Sequence, residues 1–317
     1  MIEKLNSDFI YKNLDNRYSH TQYPVVFRFK KKVRVFFSKR DKKNRSRPFF
    51  IDLDPKNLKK IVYEKKKPLL NVGNPGMFDD AGVMPTSVIK HKNLYYMYYI
   101  GWNVRKNIPY SNHIGLAISK DCENFKKYSN IPIFNSTTQE PYYSASLQVI
   151  KKKKLFYGAY LSCIGWKKIK NVYEPFYDVK MATSKNGLDW SRNGKTILKL
   201  KKREGGICPS DFIKIDNKYF IIYCYRGYNN FRSSKKNSYK IGLAFTKNLK
   251  NWKRIDKKIQ LKVTKNSWNS DMQCYPSLLK TSKGISLFYN GNGFGKSGIG
   301  LVNINKESNF FKNIQKS

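Results

Sequence analysis

The chain has 317 residues, with 63 Lys and Arg against 21 Asp and Glu, a formal net charge of +42. At 40% hydrophobic and 15% aromatic it carries too much apolar surface for a disordered protein, and the aromatic content favours strands. Five cysteines (Cys122, Cys163, Cys208, Cys224 and Cys274), odd in number and without a C-x-x-C pair, argue against a zinc site or a disulfide framework and fit a reducing compartment.

The amino-terminal MIEKLNSDFIYKNLDN has acids where a secretion signal needs bases, and it lacks an apolar core. Residues 1–15 are expected to fray, and the protein is expected to be cytoplasmic. The first regular segment, YPVVFRFKKKVRVFFS at 23–38, is an apolar strand, a Lys-rich turn and an aromatic strand. The pattern recurs as GVMPTSVIKHKNLYYMYYIGW at 82–102, more loosely as YYSASLQVIKKKKLFYGAYLSCIG at 142–165, as ICPSDFIKIDNKYFIIYCYRG at 207–227 and as CYPSLLKTSKGISLFYNG at 274–291. A further strand follows in four copies, at 113–128, 178–192, 240–254 and 298–304. In the first three of these it runs into an Asn/Asp turn and an aromatic that starts a fourth strand. Five units of about sixty residues, each of three or four antiparallel strands, predict an all-β, five-bladed β-propeller. The blades span roughly 20–304 in a single domain covering residues 1–317, with little helix and a frayed end over 306–317. Anchors are Pro24, Pro85, Ala145 to Leu147, Pro209 and Pro276, with each proline read as opening a strand.

In a propeller the loop entering each innermost strand and the loop between the second and third strands open on one face. Just before the innermost strands stand Asp80, Glu140, Glu204 and Asp271, in a chain where acids are scarce. The ordinary alternative is that they are turn acids. If they converge on the channel, mutual repulsion and desolvation would keep one protonated beside an ionised partner, the pair that glycoside cleavage needs. The second-to-third-strand loops add Trp102 and Trp166 to stack on sugar rings, and Asn103, Asn290 and Asn292 to bond hydroxyls. Tyr275 and, more weakly, Glu174 join this binding set. Arg226 is expected to hold a channel acid. Asp79 and Asp211 read as turn residues.

The blade order, the acids before inner strands and the S-x-N-G-x-x-W-like turn SKNGLDW at 184–190 resemble the five-bladed glycosidase superfamily, which includes glycoside hydrolase families 32, 43, 68 and 130. The resemblance covers residues 20–304. It implies a carbohydrate-active enzyme, glycosidase-like, with Glu204 as general acid and Asp80 as base, while Glu140 and Asp271 tune the site. Resemblance to family 130 implies phosphorolysis, with Arg226 or Arg105 as phosphate ligand; a glycan-binding propeller without catalysis is the third reading. The W-x-N-D-P-N-G signature of invertase relatives is absent. No cofactor or metal is expected, and the partner is a carbohydrate, anionic in one variant of the reading.

The charge has its own pattern. Turns between first and second strands carry Lys30–Lys32, Lys90 and Lys92, Lys151–Lys154, Lys214 and Lys218, and Lys280 and Lys283, all expected on the face opposite the acids. That face is expected to rest on an anionic surface; an A·T-rich coding sequence is the competing explanation for so much lysine. No nucleic-acid-binding motif accompanies the charge, so nucleic acid is not the expected partner.

Overall fold

The computed structural model describes residues 4–310; the fraying expected at 1–3 and 311–317 lies outside the described residues. A short strand, β1 (Asp8–Tyr11), precedes the first unit, which comprises β2 (Tyr18–Phe29), β3 (Lys32–Asp41), β4 (Ser46–Leu53) and β5 (Ile61–Glu64). The second holds β6 (Gly82–His91), β7 (Leu94–Val104), β8 (Tyr110–Ser119) and β9 (Lys126–Lys127). The third holds β10 (Ser144–Lys152), β11 (Leu155–Ile169), β12 (Val172–Ser184) and β13 (Ser191–Leu198). The fourth holds β14 (Glu204–Ile215), β15 (Lys218–Gly227), β16 (Lys240–Thr246) and β17 (Lys253–Arg254). The last holds β18 (Cys274–Thr281), β19 (Gly284–Asn290) and β20 (Ile299–Asn305).

The fifth unit takes its outer strand from the far end of the chain: β1 pairs antiparallel with β20, Asp8 opposite Leu301. Residues 8–11 are therefore structural rather than frayed, and Leu5 bridges Leu261. The innermost strands β2, β6, β10, β14 and β18 each lie against the next, and β18 lies against β2. This is the closed radial order of a propeller. Among the described residues helical geometry is limited to single turns at Asp256–Lys258 and Asn292–Gly295 and to residues 309–310.

The second strand of each blade is packed on both faces by neighbouring blades, so it reads as an unbroken buried run: Val33–Lys39, Tyr96–Gly101, Tyr219–Cys224 and Gly284–Asn290. Innermost strands do something else. Each is broken by a register shift at its anchor: around Gln22/Val25, Pro85/Ser87, Ala145/Gln148, Pro209/Asp211 and Cys274/Ser277. The prolines thus sit at β-bulges inside strands rather than at strand starts, where the missing N–H leaves no ladder bond unmade. The third copy, without proline, bulges at Ser146, whose φ is +50°. Bulging re-aims side chains into the channel, and inner strands are tied across it: Ser277 Oγ accepts from Val26 N (3.1 Å), Ser87 Oγ from Val149 N (3.3 Å), and Asp211 Oδ2 from Leu278 N (2.6 Å).

Candidate active site at the channel mouth

Of the four acids read in shared register, Glu140 and Glu204 share a structural role, each tied to an arginine of its own blade's outermost strand. Glu140 is buried, and its carboxylate accepts from Tyr160 Oη (2.8 Å) and Ser162 Oγ (3.1 Å), with Arg192 Nη1 at 3.6 Å. Glu204 is clamped by both Arg254 Nη atoms, each at 2.8 Å. Arg254 Nε in turn donates to Tyr223 Oη at 2.9 Å, and that hydroxyl donates to Asp256. In the second blade the buried acid is Asp79, not Asp80: it accepts from Tyr99 Oη (3.1 Å) and pairs with Lys127 Nζ (2.6 Å). Asp80, half-buried, accepts from Gly76 N (2.9 Å) and closes its own loop. The fifth blade replaces the acid by Asn269, which donates to Tyr289 Oη.

One latch therefore recurs: an acid or amide before the innermost strand, a tyrosine hydroxyl from the second strand, and in three blades a cation from the outermost strand. It ties the entry segment of a blade to that blade's own second and outermost strands. Asp271 is outside the pattern, its side chain 61% exposed, accepting from Ser270 Oγ (2.9 Å) with Lys235 Nζ at 3.6 Å. Among the described contacts none of Asp80, Glu140, Glu204 and Asp271 hydrogen-bonds or ion-pairs with another.

What the mouth holds instead is aromatic and basic. Trp166, from the long β11–β12 hairpin, packs edge-on against Tyr110 and Tyr143 at centroid distances of 5.8 and 5.9 Å. On the other side, Tyr23 stacks on Tyr275 (4.5 Å), which leads to Tyr239 (6.4 Å) and from there to Phe294 and Phe231. Trp166, Tyr110 and Tyr275 stay half-buried. Between the two walls lies Arg226, fully buried at the end of β15. It donates to Tyr177 Oη (3.0 Å), Pro175 O (2.5 Å) and Gly227 O (3.0 Å), and its guanidinium lies over the Phe231 ring at 3.9 Å.

No acid is among the described partners of Arg226, which corrects its expected role as partner of a channel acid. Burial works against its charge, but the adjacent Tyr177 and Tyr239 more than offset this and its pKa is raised. Beside it, exposed Arg232 holds Glu174. Glu174 is buried, and its Oε2 has no hydrogen-bond partner. An unpartnered buried carboxylate oxygen and a buried guanidinium with no acid among its described partners are both costly. With Glu174 paired to Arg232 and no acid among the described partners of Arg226, the mouth favours an anion.

The other expected ligand residues divide. Trp102 Nε1 and Asn103 Oδ1, at the mouth end of β7, are also buried without partners. Tyr275 Oη accepts from Gln22 Nε2 at 3.4 Å. Asn290, by contrast, is consumed by the scaffold, its Nδ2 donating to Thr21 O (2.7 Å) and Oδ1 accepting from Tyr23 N (2.7 Å). Asn292 is likewise spent on the backbone N–H groups of Asp271 and Met272. Neither amide has the freedom expected of a sugar ligand.

Asp211, read as a turn residue, is on the innermost strand β14 and borders a channel cavity of about 180 Å³ with Thr86, Gln148 and Ser277. Burial pushes its pKa up to about 6, against the N–H bonds from Leu278 and Phe212 and the hydroxyl of Ser277. A carboxyl whose folded pKa is raised destabilises the folded state once ionised. The stability of wild type relative to Asp211→Asn should be greatest below pH 4 and decline as pH rises to about 6, by on the order of 3 kcal/mol. Paired thermal melts across that range check it; a pH-independent difference would mean the carboxyl is not desolvated.

No protein-family model matches the chain. An uncharacterized protein of Mycobacterium tuberculosis is 28% identical over 291 residues, 91% of this chain and 94% of that one. A 1,2-beta-oligomannan phosphorylase of Thermoanaerobacter sp. (strain X514) is 28% identical over 207 residues, 64% of this chain and 62% of its own length. Among solved structures, a glycoside hydrolase superposes with a TM-score of 0.71 at 16% identity, over 95% of this chain and 91% of that chain. A structure described under family 130 mannoside phosphorylases, with hydrolases that target beta-1,2 mannosidic linkages in Candida mannan, gives a TM-score of 0.67 at 14% identity, over 96% and 95% of the two chains. The fold is that of the propeller glycoside hydrolases.

Proposed function

We propose that the protein is a carbohydrate-active enzyme that cleaves a glycosidic bond at the channel mouth with inorganic phosphate as acceptor. The observation that carries this reading is the composition of the mouth: one buried carboxylate, Glu174, paired with Arg232, and a buried guanidinium, Arg226, with no acid among its described partners, between aromatic walls. Hydrolysis by the usual plan needs two carboxyl groups on either side of the bond, one of them to activate water or act as nucleophile. Phosphorolysis needs one proton carrier and an anion site, because phosphate is itself the nucleophile.

In the step proposed, a phosphate oxygen held by Arg226 and Arg232 attacks the anomeric carbon, the glycosidic C–O bond breaks, and the leaving sugar oxygen takes a proton from Glu174. Arg232 is exposed, so it can turn from Glu174 to the phosphate and leave the carboxyl able to carry that proton. Trp166, Tyr110 and Tyr275 offer ring faces to the sugars. The phosphorylase relative supports the same reading and makes β-1,2-linked manno-oligosaccharides the first substrates to try.

The test is a panel of oligosaccharides and aryl glycosides incubated with and without inorganic phosphate. Sugar 1-phosphate formed only when phosphate is present is the expected result. Reducing sugar released equally without phosphate would replace phosphorolysis by hydrolysis, and binding without turnover would make the mouth a recognition site.

A further inference from the structure

The face opposite the mouth carries the second feature. Because the innermost strands all start at the mouth, their five hairpins gather on the other face, and each is a two-residue turn, so no innermost connection stands proud of the ring. Across the five turns the only acid is Asp216. Between the third and fourth blades this face is indented by a hollow of about 540 Å³ lined by Ile150, Lys151, Lys152, Lys153, Lys214 and Tyr219. Lys152 and Lys214 both lie over the Tyr219 ring, at 5.2 and 5.8 Å.

We propose that this face docks on an anionic phospholipid bilayer, with the lysine-lined hollow seating a phosphorylated headgroup. Three observations favour it over a merely lysine-rich composition. First, Lys30, Lys92 and Lys153 occupy the same turn position with φ of +51°, +54° and +54°. That conformation suits Gly, Asn or Asp and disfavours Lys. A·T-rich coding supplies Asn as readily as Lys, and the strained position nevertheless carries lysine in three of five turns.

Second, the charges crowd one another: burial and then the nearby Lys151 and Lys92 lower the pKa of His91, whose Nδ1 is 3.3 Å from Lys151 Nζ. Third, the lysines are spread around a whole ring of level turns, a footprint matched by a plane, whereas duplex nucleic acid would ask for a stripe or a groove.

Each lysine held near an acidic bilayer strengthens binding about fivefold. Co-sedimentation with phosphatidylserine-containing and pure phosphatidylcholine vesicles, at about 0.1 M and 0.5 M salt, reads this directly. Wild type should bind the anionic vesicles at low salt only. Reversing three charges of the hollow (Lys151→Glu, Lys152→Glu and Lys214→Glu) should weaken binding about 100-fold or more. Reversing three lysines beyond this face (Lys106→Glu, Lys168→Glu and Lys236→Glu) should cost much less. Equal losses in the two variants would make the attraction a matter of net charge and overturn the proposal. So would tight binding to duplex DNA that depends on the hollow while vesicles bind weakly. Far-ultraviolet circular dichroism confirms that both variants are folded.

Discussion

Glu174→Gln should lower turnover on the cleaved glycoside by about 10²–10⁴-fold, the range for losing a positioned proton donor, while leaving substrate binding within about tenfold. The amide keeps the shape and can still accept from Arg232, so the protein should melt close to wild type. Asp80→Asn and Asp271→Asn, aimed at acids that serve only local loops, should change turnover by about twofold or less. Glu204→Gln should behave differently again: it frees Arg254 and lowers the melting temperature, yet the folded fraction keeps its turnover. Steady-state kinetics with varied glycoside and varied phosphate separates the cases. If Glu204→Gln or Asp80→Asn abolishes turnover at unchanged stability, the catalytic acids are those of the entry loops and Glu174 only lines the mouth.

Asp79→Ala should be the most destabilising of the single changes considered. It leaves Lys127 and the Tyr99 hydroxyl without the carboxylate that satisfies both, at a position where Asp79 is 1% exposed. Breaking a buried pair from one side costs about 3–5 kcal/mol, which for a chain this long is roughly 5–8 °C in melting temperature. Asp79→Asn retains a partner for Tyr99 and should cost less. A melting shift under about 1 °C for Asp79→Ala would show that the latch contributes nothing net.

The fold was legible because a repeat exposes itself: second strands packed on both sides must be apolar runs, and Tyr96–Gly101 and Tyr219–Cys224 are hard to read otherwise. The acid register was equally legible, but its meaning was not. Residue type and spacing are the same for a catalytic carboxylate and for a latch. The discriminating signal was a tyrosine 20 residues on, as in Asp79 and Tyr99, Glu140 and Tyr160, and, with the acid replaced, Asn269 and Tyr289. The mouth was only half legible: Trp166, Glu174 and Arg226 stand out in the loops between second and third strands, but Tyr23 and Asp211 reach the channel because bulges rotate them there. A shift of one residue reverses the face of a strand, and sequence alternation cannot locate it.

The pairing of β1 with β20 has a consequence for how the molecule is made. β1 leaves the ribosome ahead of the strands of every blade and supplies the edge that the fifth needs, so four blades can pair as they emerge while the fifth waits for β20. Until β1 returns, β20 presents an open strand edge, the kind of surface that captures a neighbouring chain. During synthesis, then, the ring is at its most adhesive just before it is complete, and its amino-terminal strand acts as the cover for an edge built last.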